Sequence, residues 1–170
     1  MVIWITGLSG SGKTTLAGYL YDILIKKLPN TIWIDGDNFT RYFDPKIGYS
    51  LVDRKIRFKR AYSFIKFCND QNLNVIVSIL RFDKKIERDN KKFFKKYCQI
   101  YLNSDIKTLI KRDNKNIYSN ALKKKKPNIV GYDIKWDRNL NSDIEIKDFF
   151  KLKKNDIKKI TNKILKKCQK

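Results

Sequence analysis

A chain of 170 residues, 42% of them hydrophobic, is long enough for one ordinary domain with a sizeable core, and that apolar share excludes a wholly disordered polymer. Lysine and arginine number 39 against 17 acidic residues, giving a formal charge of +22 that should attract polyanions, whether nucleic acid or phosphorylated small molecules. No apolar run approaches the roughly 20 residues of a membrane span. The start, Met1–Thr6, carries no secretory signal pattern, and three widely spaced cysteines, Cys68, Cys98 and Cys168, suit neither a disulfide framework nor a metal cluster, so a cytoplasmic protein without a membrane partner is expected.

In chain order, Val2–Thr6 reads as a short buried strand. Lys13–Lys27 is helical, with Leu16, Tyr19, Leu20, Ile23 and Leu24 at inward spacing. Thr31–Asp35 is a second strand. Asp53–Gln71 is helical, with Ile56, Tyr62, Phe64, Ile65 and Phe67 as candidate inner positions. A strand at Asn74–Ile79, a helix at Lys84–Lys96 and a strand at Tyr97–Leu102 follow. Helices at Asp105–Asp113 and Asn116–Lys124, a weak strand at Ile144–Ile146 and a closing helix at Asp156–Cys168 complete the chain. Strands alternating with helices predict a parallel sheet covered on both faces, with its site at the carboxyl ends of the strands. With a Gly7–Thr14 segment that fits the P-loop pattern G-x-x-x-x-G-K-[ST] between the first strand and the first helix, the expected architecture is α/β: residues 1–170 as one P-loop NTPase-type three-layer domain, a parallel five-stranded sheet flanked by helices.

The segment Gly7-Leu8-Ser9-Gly10-Ser11-Gly12-Lys13-Thr14 fits G-x-x-x-x-G-K-[ST], with a strand before it and a helix after it. Glycines allow backbone N–H groups to surround phosphate oxygens, and the helix start adds its positive dipole end. Gly7, Ser9, Gly10, Ser11, Gly12, Lys13, Thr14 and Thr15 are the candidate ATP-binding residues, with Lys13 reaching the β- and γ-phosphates and the Thr14 hydroxyl on Mg²⁺. The second strand ends in Asp35-Gly36-Asp37-Asn38. Asp37 is the candidate for positioning and deprotonating an acceptor hydroxyl. Asp35 is the candidate for organising Mg²⁺ or orienting Lys13, and Gly36 for a sharp turn between them. An ordinary strand-to-loop turn is the alternative reading. The chain has no histidine, which leaves Asp37 as the candidate base.

These segments, with Gly48-Tyr49-Ser50, Asp53-Arg54, Lys111-Arg112-Asp113, Asn116–Leu122 and Asn128–Asp133, resemble the adenylylsulfate kinase family over roughly Val2 to Ile146. The resemblance implies a kinase for the 3′-hydroxyl of a 5′-modified nucleotide, with ATP and Mg²⁺, commonly as a homodimer, and a mobile lid at about 112–137. It implies that Arg112 contacts ATP phosphates and that Arg54 and Arg60 lie near the 5′ group of the acceptor. Asn38, Arg41, Tyr49, Arg57, Ile79 and Ile129 join Asp37 as acceptor-side residues.

The departures gather on the acceptor side. Family members hold adenine between two aromatic rings; the first position falls on Tyr49 and the second on Ile129. A base–aromatic stack is worth roughly 1–3 kcal/mol, so adenine binding should weaken and a smaller pyrimidine lose less. A family arginine becomes Thr40, with Arg41 one place later. A family asparagine becomes Arg57, and the stretch after strand three reads Ile79-Leu80-Arg81-Phe82-Asp83. The pattern suggests a standard donor side and a changed acceptor. Two readings from other classes stay open: a basic nucleic-acid-binding module, which predicts steep salt dependence, and an ATP-binding regulator without turnover.

Overall fold

The computed structural model describes residues 1–48, 50–80, 84–113, 116–123, 129–135 and 141–169. Strands β1 (Val2–Gly7), β2 (Thr31–Asp35), β3 (Asn74–Ser78), β4 (Tyr97–Leu102) and β5 (Ile144–Ile146) form one parallel sheet in the order β2-β3-β1-β4-β5. β1 lies at the centre, with Val2 opposite Val75 on one side and Tyr97 on the other. Parallel neighbours require crossovers, and helices supply them: α1 (Lys13–Leu24), α2 (Gly36–Phe43), α3 (Leu51–Asp70), α4 (Lys84–Phe93), α5 (Ile106–Lys111), α6 (Ile117–Leu122) and α7 (Lys154–Gln169).

Side-chain alternation along the strands builds a core on each face of the sheet. Ile3 and Ile5 of β1, Ile76 of β3 and Cys98, Ile100 and Leu102 of β4 pack with α1 and α7. Val2 and Trp4 of β1, Val75 and Val77 of β3 and Tyr97 of β4 pack instead against Phe58, Ala61, Ile65 and Cys68 of α3. The three layers follow from that division. A third, smaller cluster of Leu8, Leu109, Tyr118, Ala121 and Ile129 lies where α5 and α6 meet the loop after β1. Among the described residues no helix is long and apolar enough to cross a membrane.

The structure corrects several expectations. The turn after β2 is a helix: Asp35 has extended geometry, and its side chain accepts from the amides of Asp37 and Asn38, which is N-capping. Gly36 is therefore the first residue of α2 and makes no sharp turn. α3 starts at Leu51 because Ser50 and Asp53 form a reciprocal capping box. On α1, Ala17 is buried while Tyr19 is 51% exposed; on α3, Phe67 is 61% exposed and Cys68 faces inward. A short 3₁₀ turn, Phe149–Lys151, was not expected. Of the predicted lid, 114–115, 124–128 and 136–137 lie outside the described residues, among them Lys124–Lys126 and Trp136. Tyr49 and the segment Arg81-Phe82-Asp83 lie outside them as well.

Asp143 ties β4, α4 and α7 together. Its carboxylate accepts from the Gln99 amide (2.7 Å), from Lys167 Nζ (2.8 Å) and from Lys91 Nζ (3.3 Å). Burial pushes its pKa up, but the hydrogen bonds from Lys167 and Gln99 and the charge of Lys91 outweigh that and hold it below the ordinary value. A depressed folded pKa stabilises the protein above the unfolded value of about 3.9, and the contribution is lost as pH falls through the folded pKa. Asp143→Asn should therefore cost about 1–2 kcal/mol at neutral pH in urea unfolding. Its deficit against wild type should shrink as the pH is taken below about 4.

Candidate active site

The loop between β1 and α1 is held open by its glycines. Gly12 has φ +96°, a left-handed geometry, and a methyl there would overlap the ring of Phe149. At Gly7 a Cβ would stand 2.7 Å from Ser11 Oγ and 2.8 Å from the Leu102 carbonyl. Lys13 Nζ donates to the carbonyls of Gly7 (3.0 Å) and Leu8 (2.8 Å), so the ammonium lies back along its own loop. Ser9 is half-buried, Gly10 and Thr15 exposed, and Ser11 buried with an Oγ that has no hydrogen-bond partner among the described residues.

Asp35 joins this loop to the end of β3 and the first turn of α2. Its Oδ2 accepts from Thr14 Oγ1 at 2.9 Å and from Ser78 Oγ at 2.8 Å, and Ser78 Oγ in turn accepts from Trp33 Nε1 at 2.9 Å. Its Oδ1 accepts from the amides of Asp37 (3.0 Å) and Asn38 (3.3 Å). Asp35 is 6% exposed, and these four donors satisfy it. Asp37 and Asn38 are exposed in the first turn of α2, where the helix dipole favours a carboxylate. Ile79 lies beside Gly36, 3.5 Å from where a Cβ on that glycine would stand.

The arginines divide. Arg41, four residues after Asp37 on α2, lies over the Tyr42 ring at 4.8 Å and donates to Asn38 Oδ1 at 3.4 Å. Arg57 donates to Thr40 Oγ1 (3.4 Å) and to the Gly48 carbonyl (2.6 Å), so two of the departures read from the sequence meet in space. Arg60 pairs with Asp44. Arg54 is half-buried in the first turn of α3. Arg112 lies 3.8 Å from Asp148 and 4.4 Å from the Phe150 ring centre, on the turn whose Phe149 covers Gly12. Ile129 is 6% exposed and belongs to the cluster with Leu8, Leu109, Tyr118 and Ala121, so its side chain packs beneath the loop and does not stand open as a platform.

Sequence reasoning missed Ser78, Trp33, Tyr118 and Phe149. The Tyr118 hydroxyl donates to the Ser9 carbonyl at 2.9 Å across 109 residues. Burial, helped by the nearby Asp113 charge, pushes its pKa up to about 12, so it remains a donor at any physiological pH. A serine that closes an apolar strand beside a phosphate loop was the one available signal for Ser78. The others depend on tertiary contact.

A glycine-lined phosphate loop at the carboxyl end of a central parallel strand, bonded to an acidic helix start, defines a kinase of the P-loop class, a phosphotransferase with a hydroxyl acceptor. The adenylylsulphate kinase model matches residues 1–147. A cytidine diphosphoramidate kinase of Campylobacter jejuni is 41% identical over 140 residues, covering 81% of this chain and 80% of that protein. An adenylyl-sulfate kinase of Thermodesulfovibrio yellowstonii is 31% identical over 147 residues, 85% of this chain and 74% of that one. The Mycobacterium tuberculosis APS kinase CysC, solved in complex with AMPPNP and APS, shares the fold with a TM-score of 0.81 at 20% identity, covering 99% of this chain and 97% of that one. The chain belongs to the adenylylsulfate kinase family.

Asp35→Ala removes a helix cap and strands the buried Ser78 hydroxyl. It should lower unfolding stability by about 2 kcal/mol or more in urea titration. Asp37→Ala, at an exposed position, should change stability by less than about 0.5 kcal/mol.

Proposed function

We propose that this chain transfers the γ-phosphoryl group of ATP to the 3′-hydroxyl of a 5′-modified nucleotide, and that the acceptor is cytidine 5′-diphosphoramidate, a step in supplying the phosphoramidate of a capsular polysaccharide. The observation that carries the reading is the Thr14–Asp35 hydrogen bond. It places the end of the phosphate loop against the carboxylate that also caps the helix bearing Asp37.

The residues fit a magnesium nucleotide. Thr14 Oγ1 and Asp35 Oδ2, 2.9 Å apart, are hard oxygen donors of the kind Mg²⁺ takes beside phosphate oxygens and waters, and the loop that precedes them keeps its shape because a Cβ at Gly7 would meet Ser11 and Leu102 and one at Gly12 would meet Phe149. Thr14 would ligate the ion and Asp35 would hold its water shell; bound there, Mg²⁺ supplies charge neutralisation on the phosphates. Lys13 exchanges its two carbonyl partners for phosphate oxygens. Gly7, Ser9, Gly10, Ser11, Gly12 and Thr15 shape the cradle, and Arg112 closes on the phosphates from the 148–150 turn. The Asp37 carboxylate accepts the proton of the 3′-hydroxyl as that oxygen attacks the γ-phosphorus. The bond from phosphorus to the β,γ-bridging oxygen breaks, and ADP leaves with the electron pair. Asn38, Arg41, Arg54, Arg57, Arg60 and Ile79 form the acceptor wall, with Tyr49 and Ile129 as the positions that in the family face the base.

Two observations favour cytidine: the 41% identity to a protein named for that substrate, against 31% to an adenylyl-sulfate kinase, and an aliphatic, buried residue at 129 where a second ring would serve a purine. Adenylylsulfate is the second reading, favoured by the family match over residues 1–147.

Assayed side by side with MgATP, cytidine 5′-diphosphoramidate should give the higher kcat/KM. A clear preference for adenylylsulfate would reverse the acceptor and keep the reaction class. Asp37→Asn should lower kcat by about 10²–10⁴-fold while ATP affinity stays within a few-fold. Unchanged turnover in that variant would remove Asp37 from the reaction.

A further inference from the structure

Asp44 ends α2 as its C-cap residue, and its side chain is fully buried. One carboxylate oxygen pairs with Arg60; the other, Oδ2, is buried without a hydrogen-bond partner among the described residues. Folding physics disfavours this placement on two counts. A buried carboxylate loses its hydration and is repaid only when all its lone pairs are satisfied. The C-terminal end of a helix is also the negative end of the dipole, which repels an acid. An apolar residue of similar volume would serve the fold at least as well.

The partners of Asp44 indicate what it serves. Thr40 and Asp44 are four residues apart on α2, and Arg57 and Arg60 three apart on α3, so each pair shares a helix face. The two helices are joined by two rungs, Thr40 with Arg57 and Asp44 with Arg60. The Thr40 hydroxyl also donates to the Gly36 carbonyl at 2.8 Å, which anchors the first rung beside Asp37. Beside these rungs Phe39, Phe43 and Phe64 pack together, with the Phe39 and Phe43 rings stacked at 4.5 Å, and so help fix the rotation of α2 against α3. Asp37, Thr40 and Asp44 follow the i, i+3, i+7 spacing of one stripe. From residue 37 to residue 44 the helix rises about 10 Å. A ribose whose 3′-oxygen lies at Asp37 would direct a 5′ chain of two phosphorus centres along that stripe toward the second rung.

We propose that Asp44 is a positioning residue of the acceptor site: its buried carboxylate holds the Arg60 guanidinium, 57% of whose side chain is exposed, toward the anionic 5′ chain of the acceptor nucleotide. The proposal rests on the reading of a 5′-modified nucleotide acceptor. Asp44 touches no reactant; it acts through Arg60, which would otherwise be one more solvated surface cation.

Calorimetric binding of cytidine 5′-diphosphate to the full chain preloaded with AMPPNP and Mg²⁺ tests this without requiring turnover. Asp44→Asn and Asp44→Leu should each weaken cytidine 5′-diphosphate by about tenfold while the AMPPNP Kd moves less than twofold. In an Arg60→Met background, Asp44→Leu should add no further loss; with Arg60 present, Asp44→Glu should keep more of the affinity than Asp44→Asn or Asp44→Leu. The leucine variant keeps the test open should the asparagine variant fold poorly. An equal tenfold loss from Asp44→Leu in the Arg60→Met background, or a parallel loss of AMPPNP affinity, would mean that Asp44 is merely structural and would overturn the proposal. Failure of wild type to phosphorylate either acceptor, with these binding effects intact, would count against the functional reading alone.

Discussion

The Asp35 carboxylate accepts hydrogen bonds from the Thr14 hydroxyl, the Ser78 hydroxyl and the amides of Asp37 and Asn38. Its donors come from the start of α1, the end of β3 and the first turn of α2. One side chain therefore sets the distance between the phosphate loop and the helix that carries Asp37. In a phosphoryl transfer most of the barrier reduction comes from alignment and charge placement, so a fixed spacing between donor loop and acceptor carboxylate is what such an enzyme needs from its fold. The four bonds also explain how a carboxylate can be buried there at all.

The donor side is braced from the other direction. Tyr118 reaches the Ser9 carbonyl, Phe149 packs where Gly12 has no side chain, and Arg112 lies on Phe150 and near Asp148. Leu8 sits in the cluster with Leu109, Tyr118 and Ile129. The loop is thus touched by residues of α5, of α6 and of the 149–151 turn. The excess of basic residues, +22 overall, adds a positive field of the kind that attracts anions in general.

Much of this was legible in the residues. The strands were, because buried parallel strands are short apolar runs bounded by polar turns. The phosphate loop was, because its glycines, lysine and threonine are dictated by backbone geometry and charge. α2 was missed because Asp-Gly-Asp-Asn has the composition of a turn, and only the capping bonds of Asp35 reveal a helix start. The inner faces of α1 and α3 were misread where large residues, Tyr19 and Phe67, point outward and small ones, Ala17 and Cys68, point in. Asp44 precedes a proline and reads as a turn opener; its burial arises only when α3 packs against α2. Ile129 was placed by its motif, but its position among Leu8 and Tyr118 needed the fold.

The most direct test of the central claim is where the transferred phosphorus ends up. Two-dimensional proton–phosphorus correlation on the product of MgATP and cytidine 5′-diphosphoramidate should show a new phosphomonoester coupled to the ribose H3′, with the 5′ chain unaltered. Coupling to H2′, a phosphoryl group added to the 5′ chain, or ADP release with the acceptor unchanged would contradict the account.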